Sequence, residues 1–215
     1  MNAMAARRQM VEQQLRGRGI EDERVLAAMG EVPREDFVPV LLRDRAYSDS
    51  ALPIDEEQTI SQPWIVAAIC QALELEGSEL VLEVGTGSGY SAAVLSLLAA
   101  HVVTIERHEA LYRAAREMMI VVDAKNVELA LGDGSLGFPE RAPYDAIACH
   151  ATAPGPPKAL LDQLTDGGRL VVPLEAGDAD VLTLYRRQGD RLEAKPITPC
   201  RFVPLIGEEG FEAPG

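Results

Sequence analysis

Residues 82–90 read Leu-Glu-Val-Gly-Thr-Gly-Ser-Gly-Tyr: three glycines alternate with two small hydroxyl residues, between an apolar run and an alanine- and leucine-rich stretch. Glycines where a strand turns into a helix allow a tight turn and a close approach of backbone to ligand. In an open parallel sheet, ligands lie beyond the carboxyl ends of the strands. The position therefore suits a nucleotide-like cofactor. A dinucleotide fingerprint needs G-x-G-x-x-G. Counted from Gly85 the sixth residue is Tyr90, and counted from Gly87 it is Ala92, so the nicotinamide reading fails at the third glycine. What remains is Glu83 followed by Gly85, Gly87 and Gly89, with Thr86 and Ser88 between them. A carboxylate just before the loop repels pyrophosphate and attracts an ammonium group. That favours a cofactor with an amino-acid moiety and a cationic centre, S-adenosylmethionine. Thr86 and Ser88 read equally as caps of the next helix or as cofactor contacts, and Tyr90 reads as a packing residue.

Two further acids fit this reading. Glu106 closes the next apolar run, 21 residues after Gly85, where an acid accepts hydrogen bonds from both hydroxyls of a ribose. Asp133, within Gly132-Asp133-Gly134, closes the third run and is placed to accept from the exocyclic amine of an adenine. Singly, each is an ordinary solvated loop acid; three at successive strand ends beside the glycine loop are a cofactor site. QTISQP at 58–63 puts Thr59 and Ser61 in a proline-terminated loop before a helix. A turn and N-cap would explain it. No adjacent His or Asp relay marks Ser61 as a nucleophile, so its chemical reading is a hydrogen-bond donor that orients substrate. His101 and His108 flank a predicted strand and read as strand-end residues. His150 falls near a strand's carboxyl end, either as a loop histidine or as a residue that tunes specificity.

These groups must be held by a scaffold of 215 residues, 47% hydrophobic, which suits one domain over 1–215 with a sizeable core. A net charge of −14 argues against a nucleic-acid partner; the dense basic patches are Arg7-Arg8 and Arg16/Arg18. Cys70, Cys149 and Cys200 form no C-x-x-C pair and read as free, buried thiols in a reducing compartment. Neither they nor the three histidines have metal-ligand spacing, so no metal is expected. The first twenty residues lack a secretory apolar core, and no run approaches the roughly 18 apolar residues of a membrane span. A cytoplasmic protein without a membrane partner, working as a monomer, is the expectation.

Helices are predicted over 3–16, from the cap Asp22 to Met29, Arg34–Phe37, Trp64–Leu75, Tyr90–Ala100, Glu109–Asp123 and Lys158–Leu164. Residues 46–63 read as an extended loop. Strands are predicted over Glu79–Val84, His101–Glu106, Val127–Leu131, Tyr144–Cys149 and Arg169–Leu174, with Asp166-Gly167-Gly168 as a turn. Val181–Arg187 and Arg191–Ile197 flank the turn Gln188-Gly189-Asp190 as a hairpin. The alternation predicts an α/β fold: a doubly wound, mostly parallel seven-stranded sheet with an antiparallel C-terminal hairpin and an N-terminal helical extension. This is the Rossmann-like plan of class I S-adenosylmethionine-dependent methyltransferases. Within it, 1–57 form the extension and substrate-side loop, 58–175 the cofactor-binding core, and 176–215 the C-terminal strands.

The residues also carry a resemblance. VPREDFVP (32–39), AYSDSALPI (46–54), QTISQPWIVA (58–67), VLEVGTGSGYSAAVLS (81–96), VTIER (103–107), GDGSLGFPERAPYDAI (132–147), LLDQLTDGGRLVVPL (160–174) and RFVPLIGEEGF (201–211) are similar, in order and over nearly the whole chain, to protein-L-isoaspartate O-methyltransferases. The glycine loop is shared with many methyltransferases; QTISQP and RFVPL are more specific. The resemblance implies methylation of the free α-carboxylate of L-isoaspartyl residues in damaged proteins and peptides, leaving S-adenosylhomocysteine. The ester then closes spontaneously to a succinimide, which hydrolyses partly to aspartate. It implies Ser61 as the active-site serine and Thr59 as its neighbour at the cofactor. Glu83, Gly85, Gly87, Ser88 and Gly89 match the methionine-side loop, Glu106 the ribose acid, Asp133 and Gly134 the adenine contact, and Val203 the substrate pocket. The chain departs from the family at Asp55-Glu56-Glu57, where glycines are usual, and at His150, where small residues are. A same-fold methyltransferase with another acceptor, or a binder without turnover, are the competing readings.

Overall fold

The computed structural model describes residues 2–213. Nine strands are present among them, in two sheets. β1 (Leu52–Pro53) and β2 (Thr59–Ile60) form a short antiparallel pair. The main sheet has β3 (Leu80–Val84), β4 (His101–Glu106), β5 (Val127–Leu131), β6 (Tyr144–Cys149), β7 (Leu164–Glu175), β8 (Asp180–Gln188) and β9 (Arg191–Cys200). Their order is β5-β4-β3-β6-β7-β8-β9. Pairing is parallel from β5 to β7 and antiparallel from β7 to β9. The chain starts this sheet at its middle, moves to one side through β4 and β5, then returns to the other through β6. The crevice at that reversal, beyond the carboxyl ends of β3, β4 and β6, is where such sheets bind ligands.

The strand sequences explain why both faces are covered. Val81, Val102, Ala146, Ala148 and Val171 join one buried cluster, and their neighbours Leu82, Val103, Ile147, Leu170 and Val172 join another. Strands with apolar residues at successive positions demand a core on each side. The first core is closed by α2 (Glu23–Glu31), α3 (Pro63–Leu73) and α4 (Tyr90–Ser96), together with the N-terminal segment. The second is closed by α6 (Lys158–Asp162) and by Leu205 of the C-terminal tail. α1 (Ala3–Gln9) precedes α2, and α5 (Glu109–Val121) lies between β4 and β5. Asp22 accepts from the N–H groups of Arg24 and Val25 and so starts α2, as its position in the sequence suggests.

The structure departs from expectation in four places. The helix read over 3–16 is α-helical only to Gln9; Met10–Leu15 continues as a π-helical turn and Arg16–Arg18 as a 3₁₀ turn. The wider turn still buries Met10, Val11 and Leu15. The loop read over 46–63 contains the β1–β2 pair, too short for a periodic signal. Asp166-Gly167-Gly168 does not separate two elements: β7 begins at Leu164, and residues 165–168 bulge while Tyr144 pairs Leu164 and Ala146 pairs Arg169. α4 stops at Ser96. Three of the basic residues near the N-terminus are engaged internally, Arg7 with Glu35, Arg16 with Glu12 and Glu23, and Arg18 with Asp49. Cys70, Cys149 and Cys200 are free, the first two buried. No helix among the described residues is long and apolar enough to cross a membrane.

Candidate active site

The carboxyl ends of β3, β4 and β6 open into a cavity of about 420 Å³, the size of a small-molecule cofactor site. The turn after β3 forms one wall with Gly85, Thr86, Gly87 and Ser88. Gly85 N–H donates to the Ile105 carbonyl (2.9 Å) and Gly89 N–H to the Thr86 carbonyl (2.8 Å), which folds the turn onto β4. Gly87 has φ +53°, a conformation that side chains with a branched Cβ strongly disfavour. Its N–H donates to Glu106 Oε2 at 2.9 Å, while Oε1 accepts from the N–H groups of Arg107 and His108 at 2.8 and 2.9 Å. Three backbone donors thus orient the buried Glu106 carboxylate at the cavity edge.

The hydroxyls of the turn do not cap α4, whose N-cap is Gly89 without a side-chain bond. Thr86 Oγ1 lies 2.6 Å from Thr104 Oγ1, and Thr104 donates to Glu83 Oε2 at 2.6 Å. Thr104 has one proton, so Thr86 donates to Thr104. Gly89 faces away from the cavity: a Cβ there would stand 2.9 Å from Met119 Cε and 3.3 Å from Ala115 Cβ. Its small size seats the turn on α5. Glu83 lies beneath the turn, fully buried, and its Oε1 has no hydrogen-bond partner. That oxygen is 3.4 Å from His150 Nε2, which is also 2.9 Å from Ser91 Oγ. His150 is therefore part of the cavity wall, its side chain 7% exposed.

Asp133 is used differently from the sequence reading. Gly134 lines the cavity, but the Asp133 carboxylate accepts from Ser135 N–H, Ser135 Oγ and Glu208 N–H at 2.7–2.9 Å. Partial burial pushes its pKa up, and these bonds outweigh that, so it lies below the ordinary aspartate value. The acid tethers the C-terminal tail. That tail brings Val203 to the cavity: Thr152 N–H donates to the Val203 carbonyl (2.8 Å), Leu205 N–H to the Thr152 carbonyl (2.7 Å), and Asp180 accepts from Thr152 Oγ1 and Phe202 N–H.

The opposite wall carries Thr59 and Ser61, at β2 and just after it. Ser61 is anchored by its carbonyl, which accepts from Arg34 Nη2 at 2.7 Å. Arg34 lies over the Tyr90 ring at 4.8 Å. Tyr90 is buried yet lines the cavity, and burial, opposed by Arg34, pushes its pKa to about 12. The β1–β2 turn crosses the cavity mouth. Glu56 and Glu57 line it with φ of +57° and +55°, where glycine would be relaxed. Glu56 Oε2 is 3.5 Å from Nδ1 of His108, the residue whose N–H donates to Glu106 Oε1. No group of His, Cys, Asp and Glu suited to a metal exists among the described residues.

Comparison with known proteins places the chain in a family. The profile of the protein-L-isoaspartate(D-aspartate) O-methyltransferase family matches residues 5–210. The chain belongs to the protein-L-isoaspartate O-methyltransferase family. It is 53% identical over 204 residues to protein-L-isoaspartate O-methyltransferase 2 of Pelobacter propionicus, covering 94% of this chain and 91% of that one. It is 50% identical over 206 residues to the enzyme of Methanoregula boonei, covering 96% and 95%. A solved protein-L-isoaspartate O-methyltransferase superposes with TM-score 0.84 at 28% identity, over 95% of this chain and 67% of that one. A Plasmodium falciparum structure in complex with S-adenosyl-L-homocysteine superposes with TM-score 0.81 at 22% identity, over 93% and 98%, which shows the common fold. As in its family, S-adenosylmethionine is the methyl donor and isoaspartyl residues are the acceptors.

Of the residues singled out in the sequence, Thr59, Ser61, Gly85, Gly87, Glu106 and Val203 meet at this cavity, with Thr86, Ser88 and Gly134; Glu83, Gly89 and Asp133 stand behind it. Sequence reasoning gave Arg34 and Phe202 no place at the site; it read Tyr90 as a packing residue, and Tyr90 is buried against Phe37 while also lining the cavity. The signal for Arg34 was there as an arginine inside the apolar VPREDFVP segment; nothing local ties it to Ser61, 27 residues on.

Proposed function

We propose that Ser61 orients the α-carboxylate of an L-isoaspartyl residue for methylation, and that no general base takes part. The observation that carries this is one cavity shared by Ser61 and Val203 on one side and the glycine turn and Glu106 on the other. The cofactor fits the residues present. The Gly87 backbone leaves room that a branched side chain would fill, and Glu106 offers carboxylate oxygens fixed by three N–H donors. Gly85, Gly87 and Ser88 would hold the methionine side, with Thr59 beside them, Glu106 the ribose, and Gly134 the adenine edge. Glu83 would act from below through its charge, and Asp133 by fixing Gly134 and the tail. When bound there, S-adenosylmethionine would supply an electrophilic methyl group on a sulfonium whose leaving group is a neutral thioether.

An α-carboxylate has a pKa of about 3.5 and is already ionised at neutral pH. The protein's part is to bind, align and exclude water. Ser61 Oγ–H donates to one carboxylate oxygen and leaves the other free to react, without itself being modified. Phe202 and Val203, held by Thr152 and Asp180, cover the substrate end. The chain acts as one unit in this reading, 58–175 holding the cofactor and 1–57 and 176–215 closing the substrate side.

The test is methyl transfer to paired peptides that differ only in an isoaspartyl or aspartyl linkage. Methyl ester formed on the isoaspartyl peptide alone is the expected result. Equal transfer to both, or cofactor binding by calorimetry with no ester formed, would sink the proposal in favour of another acceptor or a binder.

A further inference from the structure

Arg34 is the largest fully buried side chain, 0% exposed. Its Nε donates to the Ala46 carbonyl at 2.8 Å and its Nη2 to the Ser61 carbonyl at 2.7 Å, while its buried Nη1 has no partner. None of the ion pairs among the described residues includes it. Burial lowers its pKa, with Tyr90 and Tyr47 opposing, but an arginine stays protonated in proteins. A buried charge without a counter-ion is costly, and two carbonyl oxygens neutralise none of it. The cavity it backs is lined by three acids, Glu56, Glu57 and Glu106, against one arginine, Arg107, in a chain of net charge −14. Such surroundings oppose an anionic substrate.

Resting on the function proposed above, we propose that Arg34 is the positioning residue that makes the Ser61 end of the cavity selective for a carboxylate. It fixes Ser61 through the main chain, and its unneutralised charge, behind Ser61 and Tyr90, supplies the positive potential that an anionic acceptor meets. Low dielectric strengthens this field, and burial protects it from screening by salt. A guanidinium that only bridged two carbonyls would hold the loop without distinguishing a carboxylate from a neutral group of the same shape.

The discriminating experiment measures binding to the enzyme saturated with S-adenosylhomocysteine, so that nothing turns over. Calorimetry compares an isoaspartyl peptide with the same peptide carrying an amide in place of the α-carboxylate. The wild type is expected to prefer the carboxylate. Arg34→Met should cut that preference about tenfold or more, the loss of one close charge interaction. Arg34→Lys should retain it within about threefold at about pH 5, where a buried ammonium is best kept protonated and the peptide carboxylate is still ionised, and lose it as pH rises, while lowering kcat through a looser Ser61. An unchanged preference in folded Arg34→Met overturns the proposal. If Arg34→Met does not melt cooperatively, Arg34→Lys decides: a folded lysine variant without the preference even at about pH 5 overturns it equally. A wild type that does not distinguish isoaspartyl from aspartyl peptide removes the underlying function, whereas one that does, with the carboxylate preference intact in Arg34→Met, removes only this role.

Discussion

Ser61 owes its place to its carbonyl and its proposed chemistry to its hydroxyl, two groups that substitutions separate. Ser61→Ala keeps the bond from Arg34 Nη2 and removes only the Oγ donor. A hydrogen bond to a charged group contributes about 1.5–3 kcal/mol. We therefore expect turnover on isoaspartyl peptide to fall about 10- to 100-fold, with S-adenosylmethionine affinity within about twofold by calorimetry. Equal losses in both would place Ser61 with the cofactor instead. Gly87→Val acts on the other partner. With φ at +53° and Ile54 Cδ1 only 3.6 Å from an added Cβ, valine must distort the turn and crowd the ligand. Cofactor affinity should drop at least about tenfold, since left-handed backbone alone costs a β-branched residue about 1–2 kcal/mol. Unchanged affinity would detach the turn from cofactor binding.

At the scale of elements, the C-terminal tail is held by Asp133 at one end and by Thr152 and Asp180 at the other. Asp133 has a depressed pKa in the folded chain. Its contribution is thus complete above the unfolded value of about 3.9 and is lost as pH falls through the lower folded value. The N–H of Glu208 should be protected from hydrogen exchange near pH 6 and lose protection, after correction for intrinsic rates, as pH drops below about 4. Asp133→Asn should abolish that dependence. A Glu208 amide equally protected in both proteins would mean that other contacts hold the tail. The β1–β2 turn is the second element at the cavity. Glu56 and Glu57 line the cavity, Glu56 within 3.5 Å of His108, and the charge of Arg34 is what offsets them in the proposal above.

For the molecule as a whole, two cores share one sheet, and the cavity opens where strands from both meet. A ligand bound there by groups from β2, β3, β4 and the tail stabilises only the folded arrangement. At about 100 times its Kd, S-adenosylhomocysteine should add about 2.7 kcal/mol. For a chain of this size that raises Tm by roughly 5–11 °C, readable by scanning calorimetry. No shift at saturating ligand would exclude binding at a site that spans these elements.

The alternating strands, the turn 85–89 and Glu106 were legible in the order of residues, because each depends on neighbours within a few positions or on strand spacing. Mostly apolar strands require a sheet covered on both faces, and a glycine turn at the end of the first run lies at the carboxyl end of that sheet, where ligands bind. Tertiary structure alone decided the rest. Arg34 meets Ser61, His150 meets Glu83, and Asp133 meets Glu208, each pair brought together by packing across 27, 67 or 75 residues of chain. A carboxylate's identity shows in sequence, but whether it faces a ligand, a histidine or a backbone N–H depends on which distant segment folds against it.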